Sequence, residues 1–429
     1  MGHEPKGSAV PLLESSSISA PSIAGSASSI QTLGNIIVSI VGTGVLGLPF
    51  AFKIAGWLAG SIGVAMAGLA TYYCMLILVE CRDMMSGEMD SADLKTYGDL
   101  GYKCLGKPGR YLTESLIVVA QCGGSVAYLI FIGQNLSSMF KVHNLTFVSF
   151  MFMLVPLEIL LSWINTLSAL APFSIFADVC NVLAMGFVVK DDIQQALGGQ
   201  FSFNDRKAIT SNLGGLPFAG GMAVFCFEGF GMTLALEASM KERRTFPKLL
   251  AVAFSAITLV YILFGFFGYM AYGEDTKDIV TLNLPRDWTA TAIQIGMCLG
   301  LAFTFPIMVH PINEIVEANL KRLGWLYKLH CSDMDSSETK AWKMMIYTTR
   351  SIVVVFLAVV ASCIPGFGIF VSLVGSTVCA LLSFVLPISF HLTLLGQSMR
   401  LWQKVLDYCI LLCGFLFAAY GTYNAVVGV

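Results

Sequence analysis

Apolar runs of about 20 residues, joined by short polar connections, recur along this chain from residue 31 to residue 427. A helix of that length crosses a ~30 Å hydrocarbon core. The pattern therefore predicts eleven spans, at 31–57, 59–80, 111–139, 145–163, 167–189, 214–236, 246–271, 289–317, 342–363, 366–391 and 402–427. Two of these runs carry residues that a plain spanning helix would not collect. The first holds Gly42, Gly44, Gly47 and Pro49 within eight positions, although glycine costs about 1 kcal/mol and proline about 3 in a helix interior. Backbone groups released at that depth find no water, so such an interruption persists only inside protein or beside a cavity. The sixth run repeats the feature: Leu213-Gly-Gly-Leu-Pro-Phe-Ala-Gly-Gly221 leads into Phe225-Cys-Phe-Glu-Gly-Phe-Gly231.

The two interruptions open successive blocks of five helices that enter the bilayer from opposite sides, the register of an inverted-repeat transporter. The fold class is all-α integral membrane, with repeat one at about 31–189, repeat two at about 214–391 and an extra helix at 402–427. Residues 1–29 are polar and serine-rich with no apolar segment, and are expected to form a disordered cytosolic tail rather than a cleaved leader. Residues 30–429 then form a single transmembrane domain. The long connection at about 81–110 mixes charge with apolar residues and reads as a short helix lying along the membrane.

Composition agrees with this class and narrows it. The 429 residues are 56% apolar and 12% charged, whereas a soluble domain carries about 25% charge. Short alternating segments that would mark a transmembrane barrel are missing. The twelve cysteines show no CxxC or Cys/His spacing, so no metal or cofactor is expected and the thiols read as small hydrophobes. The five histidines, His3, His143, His310, His330 and His391, are scattered over tail, loops and helix ends, which argues against an intramembrane enzyme. No span carries a polar stripe to line a channel. The net charge of −2 identifies no partner, and no nucleic acid is expected.

Lysine and arginine favour one set of loops roughly two to one: Arg82 to Arg110, Lys241 to Lys248, Lys321 to Lys343, and Arg400 with Lys404. By the positive-inside rule the N-terminus is cytosolic and the C-terminus lies outside. Asn144-Leu-Thr146 is a glycosylation sequon on the outer side, in a loop too short to favour its use. Pro11-Leu-Leu-Glu14 resembles a dileucine sorting signal.

Gly42-Thr-Gly-Val-Leu-Gly-Leu-Pro-Phe-Ala51 with Gly56-Trp57, Tyr97-Gly-Asp-Leu-Gly101, Thr281-Leu-Asn-Leu-Pro285 and Phe305-Pro-Ile-Met-Val-His-Pro311 together resemble the landmarks of the amino acid/auxin permease family. The likeness spans nearly the whole chain beyond the tail. It is nearest the plant vacuolar-type branch, and within it transporters of aromatic and neutral amino acids. It implies a LeuT-like fold of ten core helices plus one, and secondary, usually proton-driven, transport of amino acids, with indole acids of the auxin type also in view. With Pro11–Glu14 it points to the vacuolar membrane, the plasma membrane being the alternative.

An amino acid brings a carboxylate and an ammonium to the midplane. Helix N-termini freed by a break offer N–H donors to the carboxylate, and unwound carbonyls accept from the ammonium. Gly42, Thr43 and Gly44 are assigned to the carboxylate, with Gly47 giving flexibility. Phe225, Cys226, Phe227 and Gly229 supply carbonyls and an aromatic wall, and Tyr128 of the third span is a further wall residue. Two acids lie near mid-depth, Glu228 and Asp178, and intramembrane acids are functional hypotheses. Either could carry a proton, Glu228 first because it adjoins the break; locking of the helix break by a hydrogen-bonded acid is the alternative role. Glu158 and His310 read as gate or capping residues, and Glu314 and Glu317 as facing the cytosol. Sodium coupling is the competing driver: Thr304 matches a hydroxyl ligand of sodium-coupled relatives, but Val38 stands where they place an asparagine. A non-transporting amino-acid sensor on the same fold is the alternative from another class.

Overall fold

The computed structural model describes residues 27–86, 96–140, 145–164, 167–198, 205–212, 214–285, 287–322 and 336–427. Pro11–Glu14, Asn144, His3, His143 and His330 lie outside the described residues. The helices are α1 (Ser29–Ile40), α2 (Leu48–Ala55), α3 (Trp57–Ser86), α4 (Tyr97–Met139), α5 (Phe147–Ser162), α6 (Leu167–Leu197), α7 (Gly215–Cys226), α8 (Phe230–Ala238), α9 (Phe246–Tyr272), α10 (Trp288–Arg322), α11 (Ser336–Ser362), α12 (Phe367–Val374), α13 (Leu386–Leu395) and α14 (Leu401–Val427). A 3-10 turn, Thr43–Gly47, joins α1 to α2, and two π-helical turns, Gly375–Cys379 and Leu381–Val385, join α12 to α13.

Among the described residues eight helical segments are long and apolar enough to span a membrane, or nine when the bent pair α1 and Thr43–Ala55 counts as one. Phe147–Ser162 and Leu167–Leu197, two of the eleven expected spans, are helical but are not among those eight. The interruptions fall where glycine and proline put them: α1 meets the following helix at 46°, and α7 stops at Cys226 before α8 starts at Phe230.

The chain turns back between α2 and α3 at Gly56, whose φ of +93° suits glycine. A side chain there would also strike the Ala208 carbonyl, 2.5 Å from an added Cβ. The tail ends sooner than its polarity suggested. Ala27 pairs with Ser239 and Lys241, and Ser28 caps α1 through a reciprocal box with Gln31, so 27–29 belong to the folded domain. The segment ahead of the third span does not simply lie along the bilayer. Its Tyr97 is buried, donates to the Leu382 carbonyl at 2.9 Å and packs on Phe390. Gly106 (φ +69°) then turns the chain into the span proper. Burial separates centre from edge: 72% of the apolar window of Phe367–Leu395 is buried against 17% for Leu401–Val427, which leaves α14 peripheral.

Candidate functional site

The two interruptions meet. A Cβ on Gly44 would stand 3.1 Å from the Phe225 ring and 3.2 Å from the Cys226 sulfur, so the 3-10 turn lies close against the end of α7 and a side chain there would press on both. No backbone acceptor among the described residues takes the N–H groups of Gly42, Thr43 or Gly44. These are the orphan donors that open every helix, and they suit an anionic group. Space is open beside Gly42 and Gly231, where an added Cβ would meet nothing within 4 Å.

Tyr261 of α9 ties the breaks together. Its buried hydroxyl lies 3.2 Å from the carbonyl of Ile40, at the end of α1, and 3.2 Å from that of Cys226, at the end of α7. One hydroxyl has one proton to donate, so the two carbonyls share a donor and one lone-pair set stays available to a cationic guest. Nothing in the sequence marked Tyr261; its partners lie 221 and 35 residues away.

Glu228 is half-buried between α7 and α8. It accepts the Ser383 hydroxyl at 3.4 Å and the Phe230 N–H at the start of α8. Tyr97 and Cys379 are within its electrostatic reach. The acid thus caps one break while it faces the π-helical stretch of the tenth span. That stretch presses on the sixth: an added Cβ on Gly375 would lie 1.8 Å from the Gly221 carbonyl oxygen, and Ser372 donates to the Phe218 carbonyl at 2.9 Å. Wide π turns recur at functional sites, and this one brings Ser383 to Glu228.

Other predicted residues stand elsewhere. Gly47 supplies close packing in place of flexibility, since an added Cβ would meet Met222 at 2.8 Å, Phe367 at 3.3 Å and the Asp278 carbonyl at 3.5 Å. The Phe227 ring is fully buried and packs on Phe254 and Tyr261, with centroids 5.9 and 5.1 Å away. Tyr128 and Asp178 fall within electrostatic reach of each other across α4 and α6. Thr304 turns its hydroxyl back to the Gly300 and Leu301 carbonyls, and Gly300 lies against Ala177 beside Asp178. These three make a second group on α4, α6 and α10. Gly229 is half-buried with Ile40 and Met75 near it. Val38 is 51% exposed and offers no oxygen where a sodium site would need one. Glu158 is buried, and neither of its oxygens has a hydrogen-bond partner among the described residues. Glu317 is paired with Arg350 at 2.9 Å instead of standing in water.

Beyond Gly47 the bundle is sealed at the end that carries Lys53. Asp278 accepts from Gln134 of α4 (3.0 Å) and from the Phe367 and Gly368 N–H groups at the start of α12 (3.0 and 3.4 Å). Lys53 donates to the Thr276 carbonyl at 3.1 Å, and a Cβ on Gly368 would sit 3.0 Å from the Phe50 ring. Four elements close over the breaks here. At the opposite end Arg82 pairs with Glu237 and Asp83.

A polytopic helical bundle with two apposed helix breaks, sealed at one end, is the build of a membrane transporter. The profile of the family described as transmembrane amino acid transporter protein matches residues 25–427, and the chain belongs to that family. Amino acid transporter ANT1 of Arabidopsis thaliana is 65% identical over 403 residues, which is 94% of this chain and 93% of that protein. Amino acid transporter AVT3C of the same organism is 36% identical over 421 residues, 93% and 90% of the two chains. In fold the chain is similar to a solved manganese transporter of Eremococcus coleocola, with a TM-score of 0.50 and 11% identity over 96% of this chain and 90% of that one. The protein is thus a multi-pass amino acid transporter and not an enzyme.

Proposed function

We propose that this protein is a proton-coupled secondary transporter of neutral and aromatic amino acids, working by alternating access around the paired breaks of a LeuT-like inverted repeat. The observation that carries the reading is the contact of Gly44 with Phe225 and Cys226, with Tyr261 bridging a freed carbonyl of each break. Orphan N–H groups at Gly42–Gly44 suit a carboxylate, and the shared carbonyls of Ile40 and Cys226 suit an ammonium. A zwitterion with both needs no charged side chain to balance it. Phe225, half-buried beside Gly44, offers an aromatic wall.

The repeat is supported by which helices touch. The second half of the first span packs on the sixth (α2 on α7), the second on the seventh (α3 on α9), the third on the eighth (α4 on α10) and the fourth on the ninth (α5 on α11). Corresponding members of two halves meet in this way when a pseudo-twofold axis relates them. Eleven spans with a cytosolic N-terminus fit the lysine and arginine bias, and the vacuolar membrane fits the tail signal. Auxin-like indole acids share the carboxylate and would use the same donors.

Glu228 is the proposed proton carrier. Uptake of labelled phenylalanine into proteoliposomes under an imposed pH gradient should be lost in Glu228→Gln, while exchange at equal pH persists. Proton-driven uptake at the wild-type rate would overturn that role. Failure of the wild type to catalyse counterflow while still binding phenylalanine would point to a sensor instead. Replacing sodium by an organic cation should leave transport intact.

A further inference from the structure

At the end of the bundle away from the Asp278 seal, four polar side chains converge from three helices that the mechanism above does not use. Asp407 of α14 is fully buried. One of its oxygens accepts the Tyr73 hydroxyl of α3 at 2.6 Å, and the other lies 2.6 Å from Nδ1 of His391 on α13. An ionised carboxylate only accepts, so Nδ1–H donates to it and Nε2 is left as the ring's accepting nitrogen. That nitrogen stands 3.9 Å from Glu80, whose side chain is 56% exposed, while His391 itself is 2% exposed. Cys74 and Cys81 of α3 lie within electrostatic reach of Asp407. The start of α4 adds Tyr97, against Phe390, and Cys104, near Cys81. None of these neighbours is a cation.

The imidazole therefore sits between a carboxylate sealed from water and one that touches it. A buried charge is costly unless it is compensated, and a proton on Nε2 would neutralise the Asp407–His391 pair. Imidazole is the side chain whose ordinary titration falls between about pH 5 and 8. Glu80 gives its free nitrogen a route to solvent one carboxylate long.

We propose that Glu80, His391, Asp407 and Tyr73 form a proton-binding site that exchanges with water at the Arg400 end of the bundle, separate from Glu228. Its occupancy sets how tightly α13 is held to α3 and α14. Because α13 continues the π-helical stretch that carries Ser383, the pH on that side tunes the transport rate even without a gradient. The site stands on its own geometry, whichever acid couples transport to protons.

Infrared difference spectra of the full-length protein between about pH 8 and 5.5 test it without requiring transport. Imidazole ring bands should appear in the wild type and be lost in His391→Asn, which keeps a donor for Asp407 but takes up no proton. Glu80→Gln removes the neighbour through which the site meets water, so the midpoint of those bands should move. Phenylalanine counterflow at equal pH on both sides should lose most of its pH dependence in His391→Asn. Bands that survive in His391→Asn, or a midpoint unmoved in Glu80→Gln, would overturn the proposal. Should His391→Asn fail to fold, Glu80→Gln reads the same midpoint from an exposed position. Bands that persist in Glu228→Gln would separate the two proton sites.

Discussion

At the level of single residues, the centre of this protein depends on where a side chain is missing and on where one hydroxyl is shared. Gly375 and Gly42 look alike in the sequence but differ in surroundings. A Cβ on Gly375 would lie 1.8 Å from a backbone oxygen that cannot swing away, whereas one on Gly42 would meet nothing within 4 Å. Gly375→Ala should therefore lower the thermal unfolding midpoint, at a cost of about 1–3 kcal/mol typical of forced overpacking. Gly42→Ala should leave that midpoint in place and weaken binding of every amino acid alike, because its methyl group enters the open side of the break. Equal midpoints for the two variants would contradict the packing described. Tyr261→Phe removes the donor that Ile40 and Cys226 share, at about 1–3 kcal/mol for buried acceptors left unpaired. It should show both a lower unfolding midpoint and slower counterflow.

At the level of elements, the seal over the breaks is held by polar ends of helices as much as by apolar packing. Asp278 collects the first N–H groups of α12, the position where a carboxylate is most useful to a helix, and fastens them to Gln134 of α4. Asp278→Ala should loosen α12 from α4 and the first span, so that a cysteine placed by Met222→Cys, beneath Gly47, reacts faster with an impermeant maleimide. An unchanged labelling rate would show that packing alone keeps the seal shut. Much of this architecture was legible beforehand, because glycines and a proline clustered at matching places in two apolar runs mark broken helices, while single prolines such as Pro156 and Pro306 stay inside continuous helices. Gly44 and the partner break at Phe225 were found in that way, and the two do touch. Asp278, Tyr261, Ser383 and the His391–Asp407 pair were not legible. Each acts on a group in another element, from 16 residues away for His391 and Asp407 to 155 for Ser383 and Glu228 or 221 for Tyr261 and Ile40, and neither period nor composition encodes which helix faces which. Side-chain direction was not legible either: the Phe227 ring packs on Phe254 and Tyr261 of α9, and the Thr304 hydroxyl turns back onto its own helix.

For the whole molecule, the parity of the span count decides where the two ends of the chain emerge. Nine spans meet the length requirement when the bent pair is counted as one, and α5 and α6 decide between nine, ten and eleven. At 16 residues and ~1.5 Å per residue, α5 measures roughly 24 Å, short of a ~30 Å hydrocarbon core. Yet it packs on α4, α10 and α11, and the bilayer can thin or neighbouring chains can extend to cover such a shortfall at small cost. The 31 residues of α6 are ample, and their many contacts with α10 hold that helix upright in the bundle. If both cross, the count is the proposed eleven, and an odd count puts the termini on opposite sides, whereas ten spans would put them on one side. Tags at residue 1 and after residue 429 should be digested from opposite faces of sealed membrane vesicles, the N-terminal one from the face that bears Arg400 and Glu80. Cys363, exposed in the connection between α11 and α12, should label from the C-terminal face. Termini on one face would remove a single span, and α5, the shorter helix, would be the one lying within the bilayer without crossing it.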